Sequence, residues 1–426
     1  MKSAAVFNGP YVRRVIDDEL DVLLTQLPAV LLDGPKGVGK TATALERAAT
    51  VRRLDSAPAR EVLDADPFVV GGDAPPVLID EWQRVPGVWD AVRRLVDEGA
   101  GAGQFLLTGS APLQGTHSGA GRIAALRMRP LCLLERAPHG GEISLRSLLA
   151  GERPKISVAC RYTLTDYVEE IVAGGFPGMR DLSGKAAQVQ LGSYLDRIVD
   201  HDLPEAGYGV RRPATVMAWM RAYAAASATT ASWEKIRDAA TSRTVNKPAK
   251  TTTSAYTELL TALRILDPLE AWLPTHNHLT RLTSAPKHHM ADPALAVRLL
   301  RLSGADLLSG VTSPLIVDGA LLGALFESLV TLSVRTFAQA ADAATYHLRT
   351  ESGRHEVDCI VERDGAVVAL EVKLSASVGG SDVRHLNWME TQIGTDLVER
   401  VVVITGGDAY RRKDGVAVIP LGLLGP

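Results

Sequence analysis

Eight residues, Gly34-Pro35-Lys36-Gly37-Val38-Gly39-Lys40-Thr41, constrain this chain more than any other stretch. They follow the apolar run from Ala29 to Leu32, which reads as a buried strand. They precede residues 42–53, which read as a helix. Strand, glycine-rich loop and helix, in that order, is what a phosphate-binding P-loop needs. The glycines let backbone N–H groups close around an anion, and the helix N-terminus adds its positive dipole end. Lys40 then reaches the β- and γ-phosphates of ATP, and the Thr41 hydroxyl binds Mg²⁺.

Two further strand ends fit this loop. Pro76 to Ile79 is an apolar run ending in Asp80-Glu81. Adjacent carboxylates repel without a cation nearby. Asp80 is the expected Mg²⁺ partner, and Glu81 is placed to polarise the attacking water. The plain alternative is a solvated strand end or a helix cap before Trp82. Gln104 to Leu107 is a third run, followed by Thr108-Gly109-Ser110. The Thr108 and Ser110 hydroxyls are candidates to sense the γ-phosphate or orient the water.

At 426 residues the chain exceeds one core, which predicts two to four domains. The net charge of −3 argues against a uniformly basic nucleic-acid coat, although a local basic face is compatible with it. Cys132, Cys160 and Cys359 are scattered without pairing or metal spacing, which points to a reducing compartment. No signal peptide is evident, and no apolar run approaches the roughly 18 residues of a membrane span. A cytoplasmic location is the expectation.

In chain order, a helix over residues 17–26 precedes the P-loop strand. Strands at 29–32, 77–79 and 105–107 alternate with helices at 42–53 and 88–98, and residues 60–64 read as a further short strand. Residues 126–134 read as the last. This alternation predicts a parallel sheet with helices on both faces. The Gly/Ser/Thr-rich loop 114–121 leads to Arg122. Here the chain resembles an AAA-type P-loop ATPase family of bacteria and archaea whose members carry a trailing domain of unknown function. The resemblance rests on Gly-Pro-Lys-Gly-Val-Gly-Lys-Thr, Leu-Ile-Asp-Glu-Trp-Gln, Leu-Leu-Thr-Gly-Ser and the following arginine. It implies a sensor role for Ser110 and a catalytic arginine at Arg122, in its own or a neighbouring subunit's site. An exposed arginine without contact to phosphate is the other reading of Arg122. A homo-oligomer stays open.

The expected organisation is a multidomain α/β chain. An ATPase domain spans 1–140, a helical lid or linker region 141–212, a winged-helix-like domain 213–295 and a last α/β domain 296–426. The lid region carries Gly174-Gly175-Phe176-Pro177, similar to the family's, and Asp200-His201-Asp202, read as a capped or solvated helix end before Pro204. Helices are expected at 217–228, 232–240 and 251–266, then a hairpin over 271–282. The resemblance predicts a winged helix from these elements. Lys250, Thr251, Thr252, Thr253 and Ser254 then suit phosphate contacts on DNA, while a protein partner is the other use of such a module. His276, His278, His288 and His289 lack ligand spacing and are not read as a zinc site. Asp292 parallels a family motif.

Residues 319–338 read as a long helix carrying Glu327. Strands follow at 345–349 and 356–362, and an Asp364-Gly365 turn leads to a strand over 366–373. Strands at 401–404 and 415–419 extend the sheet. Glu371 and Lys373 share one strand face, and Asp358 lies across the hairpin. Glu327, Asp358 and Glu371-x-Lys373 look like the active-site pattern of the restriction-endonuclease-like (PD-(D/E)xK) fold. The resemblance implies that Asp358 and Glu371 hold Mg²⁺ and that Lys373 orients water for phosphodiester hydrolysis. Cross-strand salt bridging on an exposed hairpin is the alternative. The whole reads as an ATPase coupled to a nuclease-like domain, or as a nucleotide-dependent switch whose last domain is inert.

Overall fold

The computed structural model describes residues 11–109, 120–136, 140–154, 156–210, 212–241, 249–273, 285–309, 319–350 and 353–426. The N-terminal sheet has five strands: β1 (Ala29–Asp33), β2 (Thr50–Arg53), β3 (Val77–Asp80), β4 (Phe105–Gly109) and β5 (Ala124–Arg127). All pair in parallel, in the order β2-β3-β4-β1-β5. The central strands are apolar because both faces are covered, with Val30, Leu32, Leu78, Ile79, Leu106 and Leu107 essentially inaccessible. Strand order puts the carboxyl ends of β3 and β4 beside the loop that leaves β1, and this positions the site.

Three expectations in this sheet need correction. The helix expected over 42–53 stops early, running Lys40–Leu45, and its second half becomes β2. Thr50 and Val51 are β-branched and pair at the sheet edge, where Thr50 meets Val77. The strand expected at 60–64 is the helix Ala57–Ala65, entered through Pro58 and burying only Leu63. The last strand ends at Arg127, because Pro130 interrupts it and residues Leu133–Arg136 turn helical.

The middle of the chain is helical: Leu164–Ala173, Gly184–Arg197, Pro213–Ala225, Trp233–Thr241, Lys250–Ala262 and Pro293–Leu300. A capping box at Thr163 and Asp166 starts the first of these. The hairpin expected at 271–282 falls mostly outside the described residues, as do His276 and His278.

The C-terminal sheet has seven strands in the order β7-β12-β13-β11-β10-β9-β8. Its members are β7 (Val158–Ala159), β8 (Ala344–Arg349), β9 (Glu356–Arg363), β10 (Ala366–Lys373), β11 (Leu397–Ile404), β12 (Asp408–Arg411) and β13 (Ala417–Pro420). Strands β8, β9 and β10 form an antiparallel meander, and β11 returns parallel to β10 after the helix Arg384–Ile393. Two short strands, β6 (Ile143–Ser144) and β14 (Leu424–Gly425), pair in parallel. Residues 143–144 and 158–159 therefore pair with C-terminal strands across the expected domain boundaries.

The helix Gly319–Ala340 runs through the core, burying Leu325, Phe326, Leu329, Val330, Val334 and Phe337. The sequence reading found no apolar run of spanning length. Among the described residues, Ala320–Ala340 is long and apolar enough to qualify by length and composition, and most of its surface packs inside the protein.

Candidate nucleotide site and C-terminal carboxylate cluster

The loop between β1 and the helix Lys40–Leu45 can close only with glycine at its key points. Gly39 sits at φ +100° at the helix N-cap. A Cβ on Gly34 would lie 2.1 Å from the Met128 carbonyl oxygen. Lys40 is buried, and its ammonium donates to the carbonyls of Gly34 (2.7 Å) and Pro35 (2.8 Å). Burial lowers its pKa to about 8, against the pull of the Glu81, Asp33 and Asp80 carboxylates. Arg14 reaches the loop from the preceding segment, donating to the Val38 carbonyl at 3.0 Å while paired with Glu135.

The strand ends meet as the sequence predicts. The Thr41 hydroxyl donates to Asp80 Oδ1 at 2.8 Å, and Thr108 donates to the same oxygen at 2.5 Å. Thr108 thus holds the Asp80 carboxylate from the end of the neighbouring strand. Glu81 adopts a left-handed backbone, φ 57°, and accepts from Gln83 Nε2 at 2.5 Å. Non-glycine residues in this conformation concentrate at functional sites. Gly109 leaves room for Trp82 and Gln83, whose side-chain atoms would lie 2.6 Å from a Cβ there. Ser110 is outside the described residues. Arg122 is half exposed and pairs with Asp97 at 2.8 Å.

Several residues around the loop escaped the sequence reading. Lys36 pairs with Asp202 at 2.5 Å, and Tyr194 donates to the Lys36 carbonyl at 3.1 Å. Asp202 was read as a solvated or capping charge. A π-helical turn over Ile198–Asp202 instead brings it onto the P-loop. Arg264 pairs with Asp33 at 2.7 Å at the end of β1, beside its register partner Arg127. No short-range pattern links such residues, since they lie far apart in sequence.

Two of the C-terminal candidates, Glu327 and Asp358, meet around an unforeseen cation. Lys287 is fully buried, with its ammonium 2.8 Å from Glu327, 3.0 Å from Asp358 and 3.2 Å from Glu356. Asp358 also accepts from the Val372 backbone at 2.9 Å, so it lies against the Glu371–Val372 peptide. Lys373 pairs with Glu371 along its own strand at 2.8 Å. Burial, then the Asp358 charge, push the Glu371 carboxyl up to about 8, and the same causes push Glu327 to about 8. Among the described residues no group of three His, Cys, Asp or Glu side chains is arranged to hold a metal ion. The Mg²⁺ expected between Asp358 and Glu371 does not fit this arrangement, because the Lys287 ammonium sits among the carboxylates.

His288 and His289 serve packing. His288 bonds the Ala231 carbonyl at 2.7 Å and lies edge-on to Trp233, and His289 bonds Ser328 at 3.0 Å. A cleft between the helices Trp233–Thr241 and Lys250–Ala262 is lined by Trp219, Trp233, Arg237, Lys250, Ser254 and Thr257. Thr253 is buried there and donates to the Lys250 carbonyl, so it is not offered to a DNA phosphate.

Comparison with known proteins agrees with the nucleotide site. Residues 26–137 match an AAA domain family, residues 164–306 match a domain of unknown function (DUF8612), and residues 322–424 match another (DUF4143). The chain is 27% identical over 416 residues to the uncharacterized proteins Rv2008c of Mycobacterium tuberculosis and Mb2031c of Mycobacterium bovis. The aligned region covers 93% of this chain and 81% of theirs. Among solved structures it is similar to the Walker-type ATPase PABY2304 of Pyrococcus abyssi, at 16% identity and a TM-score of 0.42. That likeness covers 69% of this chain and 99% of the other. The ORC2 protein of Aeropyrum pernix, in ADPNP and ADP complexes, is 16% identical with a TM-score of 0.30, covering 70% and 96%. Residues 26–137 thus match the AAA domain family, and the loop between Asp33 and Lys40 has the P-loop geometry that such a domain carries.

Proposed function

We propose that this protein is an Mg²⁺-dependent ATPase whose nucleotide state is read by the helical middle and the C-terminal sheet domain. The observation that carries this is the shared contact of Thr41 and Thr108 on Asp80 beside the Lys40 loop. A hydroxyl that donates its proton to Asp80 keeps lone pairs for a cation, so Thr41 and Asp80 fit Mg²⁺. When bound, the ion would neutralise phosphate charge. Lys40 binds the β- and γ-phosphates, and the loop N–H groups hold them in place. Glu81, released from Gln83, orients the attacking water and accepts its proton. Lys36–Asp202 and Arg264–Asp33 tie the helical middle to the P-loop, which supplies a route for coupling.

The C-terminal order of helix, three-stranded meander, helix and parallel strand supports the nuclease-like reading of that domain. The Lys287 contacts favour the form of that reading in which the fold is inert as it stands. DNA remains the proposed partner class of the helical middle. Phosphate release from ATP tests the main proposal: it is expected to require Mg²⁺ and to fall about a hundredfold in Asp80→Asn, on the scale of removing one charged group from such a site. Release unchanged by that substitution would refute the site.

ATP binding is also expected to take up protons. At pH 8 about half of Lys40 is neutral in the free protein, since its pKa is about 8. Phosphate charge restores the ammonium, so about half a proton is taken up per ATP at pH 8 and almost none at pH 6.5. In the nucleotide-free fold the buried ammonium lowers stability fully below pH 8, and this is relieved as pH rises from about 8 toward the ordinary value of 10.5. Calorimetric titration in buffers of different ionisation enthalpy measures the uptake. Equal uptake at both pH values would assign the shift to another group.

A further inference from the structure

We propose that Arg264 is the arginine that binds the γ-phosphate of ATP in its own subunit, carried to the P-loop by the helical middle, and that Asp33 holds its place in the nucleotide-free protein. The inference rests on the ATPase reading and names a residue which that reading leaves unassigned. Arg122, the arginine expected for this task, is engaged by Asp97 at 2.8 Å on the helix Gly87–Asp97. Arg264 lies beside the loop instead. Its Nε and Nη2 both reach Asp33 Oδ2, at 2.9 and 2.7 Å. Asp33 is the residue before Gly34, whose carbonyl takes the Lys40 ammonium at 2.7 Å. Among the carboxylates acting on that ammonium, Asp33 pulls harder than Asp80 does. One carboxylate therefore separates the Arg264 guanidinium from the cation that takes the β- and γ-phosphates.

Charge and backbone both point to an anion here. Arg127, Arg129, Arg264 and Arg335 gather around two carboxylates, Asp33 and Asp267, with pairs at 2.7 to 3.6 Å. Four guanidiniums against two carboxylates leave positive charge in excess. Arg127 Nη1 and Arg335 Nε are buried and have no hydrogen-bond partner among the described residues. Burial also holds the Arg127 and Arg129 guanidiniums below their ordinary pKa, so a further anion would be favourable. The Arg264 backbone is left-handed, with φ 64°, a costly conformation that concentrates at functional sites. It is pinned there, since the Arg264 N–H donates to the Thr261 carbonyl at 2.9 Å and the Ile265 N–H to Leu260 at 2.8 Å. The side chain is 39% exposed, which leaves the guanidinium free to swing from Asp33. A guanidinium fork fits phosphate oxygens as well as it fits a carboxylate, and the γ-phosphate carries more charge than Asp33. On ATP binding the phosphate takes Arg264, and Arg127 keeps Asp33 neutralised. ADP leaves Arg264 on Asp33, so the helical middle tells the two nucleotides apart.

Titration calorimetry with Mg-ATP and with Mg-ADP, together with phosphate release, tests this on the full chain. The parent is expected to bind ATP more tightly than ADP. Arg264→Ala is expected to lose that preference while its ADP affinity stays within a few-fold of the parent's. It should hydrolyse ATP about a thousandfold more slowly, the lower end of what a transition-state arginine supplies. Arg264→Lys keeps the charge without the fork and should recover only part of the rate. Should Arg264→Ala not fold, Arg264→Ala/Asp33→Asn leaves no unpaired carboxylate, and it is expected to be as slow and as indifferent between the nucleotides. A double variant with the parent's rate and preference would show that Arg264 only neutralises Asp33, and it overturns the proposal. Loss of hydrolysis in Arg122→Ala beside full activity in Arg264→Ala overturns it too. A parent that binds no Mg-ATP refutes the ATPase reading and this proposal with it. A parent that hydrolyses ATP beside an unaffected Arg264→Ala refutes this proposal alone.

Discussion

Replacing Lys40 with alanine is expected to weaken Mg-ATP binding by about two orders of magnitude or more, the scale for truncating one partner of a buried charge pair. The ammonium is buried at the loop, held by two carbonyls, and surrounded by the charges of Asp33, Asp80 and Glu81. Without it, incoming phosphates would face those carboxylates alone. Glu81→Gln should behave differently. It keeps the side chain's size and an oxygen to accept from Gln83, but it cannot take a proton. Binding should stay within a few-fold while hydrolysis falls about a hundredfold or more, the usual contribution of a general base. Titration calorimetry and phosphate release on both variants separate the two roles. A Lys40→Ala protein that binds ATP like the parent would show that the loop does not hold phosphate.

The difference between what the sequence shows and what it hides is physical. The P-loop is legible because its chemistry is local: two left-handed glycines, Gly37 and Gly39, and the phosphate-facing Lys40 fall within eight residues. The ends of β3 and β4 are legible because an apolar run that stops at polar residues marks a strand end. Residues 50–53 and 57–65 were misread because edge strands and short surface helices bury little, so their patterning is weak. Asp202, Arg264 and Lys287 were missed for a different reason. Each meets its partner only through tertiary packing, across more than a hundred residues for the first two and across 40 and 71 residues for Lys287 with Glu327 and Asp358. A lone lysine beside two histidines gives no sign in sequence that it will be buried among carboxylates. The hairpin register did place Asp358 near Glu371, as alternation along β10 predicts.

Asp292→Ala is expected to cost about 3–5 kcal/mol, the scale for breaking a fully buried ion pair. Asp292 and Arg136 are both inaccessible and meet at 3.0 Å. One Asp292 oxygen caps the helix Pro293–Leu300 through the Ala294 N–H, and the other accepts from the Gly175 N–H at 2.7 Å. Arg136 continues to the Leu131 and Glu170 carbonyls, so the pair joins the end of the ATPase domain to two helices of the middle region. Gly175 must be glycine here, because a Cβ would lie 2.4 Å from the Leu131 carbonyl. This explains Gly174-Gly175-Phe176-Pro177 as a close approach rather than a loose linker. The turn lies against the P-loop: Phe176 and Pro177 come within 3.8 Å of Cβ positions built on Gly37 and Gly39. Loss of Asp292 should therefore lower the melting temperature by about 10 °C, at the few degrees per kcal/mol of a domain this size. It should also weaken ATP binding, although Asp292 touches no part of the loop. Asp292→Asn keeps the cap and loses the charge, so it should fall between variant and parent. Melting within 2 °C of the parent for Asp292→Ala would show that the network is not the joint between the two regions.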